Sequence, residues 1–421
     1  MLSVSTPLLR FVVGWFGCLI AALGALAGAG PASAQGPGSD AEVRALWVTR
    51  GTLASPESVS QMVLAARAGG FNTLLVQVRG RGDAYYTSTL EPRAAELAGR
   101  PDFDPLAQVI AQARPAGIQV HAWLAVNLVS SAATLPSSRN HILYRNPEWL
   151  MVPKALAVEL RGVDVRSPEY VGRLARWSRA NNTAVEGLYV SPVHPGAAAH
   201  IAAVARELVS TYDLDGVHLD YVRYPGDGFD FSRAALDQFR QSMETELPAE
   251  ARARAAARER LDPFAYPNLY PERWDAFRRS RLTSLVMRVR TAVKQVRPDV
   301  TLSAAVVADA REAYESRLQD WRTWLDQSLI DVLCPMAYTT DARQFDTQIR
   351  LATDYAAGRP VWAGIGAYRL SVADTSRFIA AARRQGAAGT VLFSYDALTT
   401  PPHTASTLTA LGRAAFGDGS Q

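Results

Sequence analysis

Eight short runs rich in aliphatic and β-branched residues alternate with longer helical patterns along this chain. They are Arg44–Thr49, Thr73–Arg79, Ile118–Leu124, Gly216–Tyr221, Thr301–Val307, Asp331–Ala337, Val361–Gly366 and Thr390–Tyr395. Strands that alternate with helices make parallel βα units, and eight of them close a barrel. Within the runs the side chains change character with a period of two. Leu74, Val76 and Val78 alternate with Thr73, Leu75, Gln77 and Arg79; Ile118, Val120, Ala122 and Leu124 alternate with Gln119, His121 and Trp123; Val217 and Leu219 alternate with His218 and Asp220. An aliphatic set suits the face under the helices and a mixed polar set the barrel interior, whereas an open doubly wound sheet would make its strands apolar on both faces. The expected architecture is therefore an α/β fold, a (β/α)8 TIM barrel.

The spacing of the runs is uneven. About 90 residues separate the third from the fourth, far more than one crossover helix needs, so long insertions are expected after strands 3 and 4. The first carries Tyr144, Trp149, Trp177 and the run Glu186 to Pro192, then an amphipathic helix from Ala197 to Tyr212. The second, about Phe229 to Asp275, holds an Arg/Ala-rich helical stretch from Ala249 to Arg260 and an aromatic, proline-rich stretch from Pro263 to Trp274. The barrel domain is placed at residues 42–400, with a C-terminal helix or tail over 401–421.

Residues 1–34 have the form of a secretory signal peptide: Arg10, an apolar run from Phe11 to Gly30, and small residues up to Ala34, after which cleavage is expected. A retained membrane anchor is the alternative, since the run approaches the ~20 residues that span a bilayer. Cys18 could suggest a lipid anchor, but Trp15-Phe16-Gly17 is a poor attachment context. Gln35 to Ala41 form a linker. A periplasmic or secreted location follows from this expectation, with no other membrane attachment. Removing Arg10 takes the formal charge from +4 to +3, spread without a basic block, which gives no support to nucleic-acid binding. Only Cys334 then remains, so no internal disulfide can form and a large core must supply stability.

Chemistry concentrates in the segment from Tyr212 to Pro225. Asp215-Gly216 turns into the fourth strand, and parity places His218 and Asp220 inside the barrel near its C-terminal mouth, where barrel enzymes keep their active sites. A carboxylate there suits nucleophilic or acid/base work. Pairing of Asp220 with Arg223 merely to close the mouth is the bland alternative. An adjacent arginine should lower the pKa of Asp220, favouring a nucleophile or electrostatic stabiliser over a general acid.

Taken in order, several segments make the chain resemble the family 10-like glycosyl hydrolases from about Glu42 to Leu398. They are Arg44 to Thr49, Asn72 to Arg79, Gly117 to Trp123, Asn146-Pro147-Glu148-Trp149-Leu150, Asp215 to Pro225, Asp331 to Tyr338, Gly364-Ile365-Gly366 and Val391 to Tyr395. The resemblance implies a barrel that hydrolyses a bacterial envelope glycan, with peptide-free strands of peptidoglycan as the leading substrate, and it implies no cofactor. Many relatives carry two successive acids at the end of the fourth strand, where this chain has Asp220-Tyr221. The same strand also resembles the spaced acids of chitinases, but Val222 stands where the catalytic glutamate would be, so chitinase-type substrate assistance does not fit.

Hydrolysis by two carboxylates needs a partner for Asp220. Asp309 and Asp396 have suitable parity, Asp341 lies in the loop after the sixth strand, and each could equally serve its loop. Gln77, Arg79, His121, Asn127, His218 and Arg223 are candidates to bind or position a sugar, with Arg81 beside them. Trp123, Tyr338, Trp362 and Tyr368, with Trp149 in the insertion, are candidate sugar platforms, although core packing would explain each one. No His-x-His pair opens the first strand and no cysteine cluster exists, so no metal is expected. Gly364-Ile365-Gly366 lacks the third glycine of a dinucleotide loop, and Ser191 and Ser394 lack the elbow of a serine hydrolase. Two further possibilities remain: an inactive barrel that binds glycans, and a metal-dependent deacetylase or amidase acting on the same polymers.

Overall fold

Each of the eight expected strands forms, with ends displaced by no more than two residues. The computed structural model describes residues 42–401 and 403–417; the expected signal segment, Cys18 and the linker lie outside them. In chain order the strands are β1 (Val43–Val48), β2 (Thr73–Arg79), β3 (Gln119–Ala125), β4 (Leu128–Ser131), β5 (Gly187–Tyr189), β6 (Gly216–Asp220), β7 (Thr301–Val307), β8 (Val332–Ala337), β9 (Trp362–Ile365) and β10 (Gly389–Phe393). β4 and β5 pair antiparallel within the first insertion. The other eight close a parallel barrel in the order β1-β10-β9-β8-β7-β6-β3-β2.

Period-two alternation sorts the side chains as expected. Leu74, Val76, Val78, Val120, Leu124, Val217 and Leu219 belong to the large core between strands and helices. Ala45, Trp47, Leu75, Trp123, Cys334, Trp362 and Val391 fill the barrel interior. Large interior side chains need small neighbours. A Cβ on Gly216 would lie 2.0 Å from His121 Nδ1, and one on Gly364 would lie 2.9 Å from the Trp47 ring, so both glycines make room for an aromatic.

The outer helices start where proline and a capping side chain coincide. Ser55 caps Pro56–Ala68, Asp104 caps Pro105–Ala113 and His194 caps Pro195–Thr211, each accepting a backbone N–H while proline occupies the first turn. Within the segment expected to be a C-terminal helix or tail, helix Ala405–Phe416 packs onto the barrel: Leu408 and Leu411 are buried, Phe416 packs edge-on against Phe71 at 5.5 Å, and the Arg44 guanidinium lies 5.2 Å above the Phe416 ring. No helix among the described residues is long and apolar enough to cross a membrane.

The two insertions share a second core. Val129, Leu143, Leu150, Leu174 and Leu188 from the first pack with Phe231, Phe239, Trp274 and Phe277 from the second. The first insertion reaches the C-terminal mouth of the barrel at Glu186, which pairs with Arg223.

Candidate active site

At that mouth the strand ends and the loops after β1 and β2 enclose a cavity of about 740 Å³. Asp220, the last residue of β6, lies in its wall and is only 7% exposed. Its Oδ2 accepts the Trp123 indole N–H at 3.1 Å, and its Oδ1 accepts the Tyr221 backbone N–H at 2.6 Å. The Arg223 guanidinium stands 3.9 Å away. Burial dominates this balance and pushes the Asp220 carboxyl above its ordinary range; Arg223 and the two hydrogen bonds only moderate the rise. The expected lowering by arginine is thus overturned, because a salt contact at this distance returns less than the loss of water takes.

Arg223 is held from several sides. It pairs with Glu186 at 2.9 Å and stacks 4.4 Å over the Tyr221 ring. Burial opposes its charge, yet Tyr189, Asp220 and Glu186 keep its pKa above the ordinary value. Burial likewise opposes ionisation of Glu186, but Arg223 and the Tyr189 hydroxyl, 2.7 Å away, bring its pKa below the usual range. Glu186 precedes β5, so this pair ties the first insertion to the mouth. Tyr221 itself adopts a left-handed φ of +50°, a conformation costly for a bulky residue, which turns the chain sharply away from the strand just after Asp220.

Aromatic rings form the inner end of the cavity. Trp47, Trp123, Tyr338 and Phe393 all line it, with Tyr338 and Phe393 5.5 Å apart and Trp47 edge-on to Tyr338 at 6.2 Å. His218 supports them from within the barrel. Its Nε2 accepts the Trp47 indole N–H at 3.0 Å, so its Nδ1–H donates to Ser303 Oγ at 2.9 Å. Burial, and secondarily His121, keep His218 neutral with a pKa well below the ordinary value. Both ring nitrogens being engaged, His218 positions Trp47 and is not in the cavity lining.

Gln77 does line the cavity; its carbonyl accepts weakly from Arg50 N at 3.4 Å. The other expected binding residues go elsewhere. Arg79 is wholly buried, pairs with Glu91 at 2.7 Å and donates to the carbonyls of Ala125 and Val126, so it braces strand ends and cannot reach a sugar. His121 and Trp362 pack on each other at 5.4 Å, deeper in the barrel, and burial lowers the His121 pKa to about 4. Asn127 is fully buried and donates to the Val190 carbonyl at 2.9 Å, tethering β5 to the end of β3.

Neither expected partner acid faces Asp220 in the cavity lining. Asp309 caps helix Ala310–Glu315 through the N–H groups of Arg311 and Glu312, each at 2.9 Å, because the chain turns at Ala308 and strand parity ends there. Asp396 accepts from Thr49 N at 2.8 Å and Thr52 Oγ1 at 2.5 Å, both its oxygens holding the loop after β1. Asp341 caps helix Ala342–Ala356. The second carboxylate in the cavity lining is Glu96, on the exposed 3-10 turn Ala95–Leu97 after β2. Tyr85, Arg50 and Thr49 join it there. The buried Tyr85 hydroxyl faces Glu96 there. Among those residues no three His, Cys, Asp or Glu side chains gather as a metal site.

Residues 42–373 match the family described as Glycosyl hydrolase-like 10. The chain belongs to that family. Glycosyl hydrolase YngK of Bacillus subtilis is 22% identical over 79% of this chain and 62% of its own length; glycosyl hydrolase DigH of Escherichia coli K12 is 23% identical over 64% and 55%. The chain thus spans only about three-fifths of these curated relatives. Among solved structures, the PgaB (BpsB) glycoside hydrolase domain of Bordetella bronchiseptica shares the fold with a TM-score of 0.60 at 17% identity, covering 89% of this chain and 99% of that one. The catalytic domain of a Paenibacillus polymyxa β-amylase has a TM-score of 0.59 at 11% identity, over 91% and 99%.

For a glycosyl hydrolase-like 10 chain the departure after Asp220 now has a structural meaning. At Tyr221, where the resemblance led a second acid to be expected, the ring carries Arg223. Glu96 had no sequence signal, since it lies on an irregular loop where neither helical nor strand periodicity applies. Trp47 could have been found: it has the interior parity of β1, two residues after Ala45.

Proposed function

We propose that the protein is an exported glycoside hydrolase that cleaves O-glycosidic bonds in a bacterial envelope glycan, with peptide-free peptidoglycan strands as the leading substrate. The observation that carries this reading is a buried carboxyl of raised pKa, Asp220, set in an aromatic-walled cavity at the C-terminal mouth of a barrel. A carboxyl whose proton is held more tightly than an ordinary carboxyl's is suited to protonate the leaving glycosidic oxygen. Glu96, open to solvent in the same cavity, is suited to act on the other side of the sugar as base or nucleophile. Trp47, Trp123, Tyr338 and Phe393 offer apolar faces for the sugar rings, and Gln77 and Tyr85 offer polar atoms for hydroxyl groups. Removal of residues 1–34 would place the enzyme in the periplasm or outside the cell.

The test is mass spectrometry of peptide-free peptidoglycan strands after incubation with the mature protein and with its Asp220→Asn variant. New reducing ends from the wild type alone are expected. Intact strands that still co-sediment with both proteins would favour the glycan-binding barrel, a reading supported by the engagement of Asp309 and Asp396 in caps and loop contacts.

A further inference from the structure

Beyond Tyr338 the mouth continues into a second cleft of about 360 Å³. It adjoins the cavity around Asp220 across three shared side chains, Val307, Met336 and Tyr338. Both spaces fall within the roughly 300–1,000 Å³ typical of small-ligand sites. Their linings differ: aromatic around Asp220, but hydroxyl, amide and charged side chains beyond Tyr338, among them Thr339, Gln344, Gln348 and Arg369.

We propose that this cleft is a second sugar subsite, which seats a neutral sugar of the same chain whose bond is cut beside Asp220; the proposal rests on the glycosidase reading above. Unused bonding capacity points the same way. Asp309 spends Oδ1 on both helix amides, leaving Oδ2 without a partner among the described residues. Gln348 Oε1 is buried with no donor, on a half-buried side chain whose terminal amide torsion is soft, so a sugar hydroxyl or acetamido N–H could satisfy it after a small rotation. Arg369 donates to the Tyr338 carbonyl at 3.0 Å, fixing the partition between the two spaces.

Hydrogen-bonding groups select the sugar. Asp309 and Glu312 face Arg369 in the cleft lining, with Arg317 3.7 Å from Glu312 and Arg311 beside Asp309, so the charges are near balance. Thr339, Thr340, Gln344 and Gln348 then offer hydroxyl and amide groups suited to the hydroxyl and acetamido groups of a neutral sugar.

Calorimetry on the Asp220→Asn protein separates binding from hydrolysis. The probes are peptide-free peptidoglycan fragments of two, four and six sugars. Affinity should rise with length, and a Gln344→Ala/Gln348→Ala pair added to that protein should remove about tenfold of affinity for the longer fragments, or ~1.4 kcal/mol, while leaving the shortest unchanged. A length dependence that survives the double substitution, or an equal loss for every length, overturns the subsite. Binding that is independent of length also overturns it while leaving the glycosidase intact, whereas no binding by any fragment together with no cleavage by the wild type overturns both.

Discussion

The Trp123 indole N–H donates to Asp220 Oδ2 across 3.1 Å, linking the end of β3 to the end of β6 inside the cavity. That bond stabilises the charged carboxylate and so works against the burial that raises its pKa. Trp123→Phe keeps the ring and removes the donor. The limb of the pH–rate profile governed by Asp220 should move to higher pH in this variant. A limb that stays fixed or moves toward acid would separate Asp220 from the titration.

Asp220 should also be a stability cost. Its carboxyl holds a proton more tightly folded than unfolded, so the folded state loses stability as pH rises above the unfolded value of about 3.9. Asp220→Asn should therefore melt at a higher temperature than wild type at pH 7, with the difference vanishing below about pH 4, while hydrolysis falls by about 10²–10⁴-fold. Thermal unfolding at both pH values checks the sign; a lower melting temperature at neutral pH would contradict it.

Glu91 behaves oppositely. Burial disfavours its charge, but Arg79 and His200 outweigh that and bring its pKa to about 2. Its charged form therefore contributes stability above the unfolded value, and that contribution is lost as pH falls through about 2. Glu91→Gln strands the buried Arg79 guanidinium and should cost about 3–5 kcal/mol at pH 7 in denaturant unfolding. The gap between variant and wild type should narrow as acid protonates Glu91.

Glu96 lines the cavity yet is exposed, so its removal should act on rate and not on folding. Glu96→Gln is expected to lower kcat by about 10²–10⁴-fold with an unchanged melting temperature. Undiminished turnover would leave Asp220 without its proposed partner in the cavity.

Much of this molecule was legible before any coordinates. Strand periodicity follows from local backbone geometry, so the eight strands and the inward orientation of Trp123, His218 and Asp220 could be read from spacing alone. Parity fails where strands end. Asp309 and Asp396 sit two and three residues past β7 and β10, where the chain has already turned into helices; one caps a helix and the other holds the loop after β1, and neither is in the cavity lining.

Depth was also invisible to the sequence. His121 and Trp362 share the interior face with Trp123 but lie in a lower layer, a matter of register between strands that are distant in the chain. The direction of the Asp220 shift depended on how completely its surroundings exclude water, and only packing decides that. The identity of the second carboxylate in the cavity was settled likewise: a loop without periodicity brought Glu96 there through long-range contacts. Local geometry thus determined the scaffold and the inward-facing acid. Tertiary structure decided which polar groups meet at the mouth, because burial and approach across the barrel belong to no single segment.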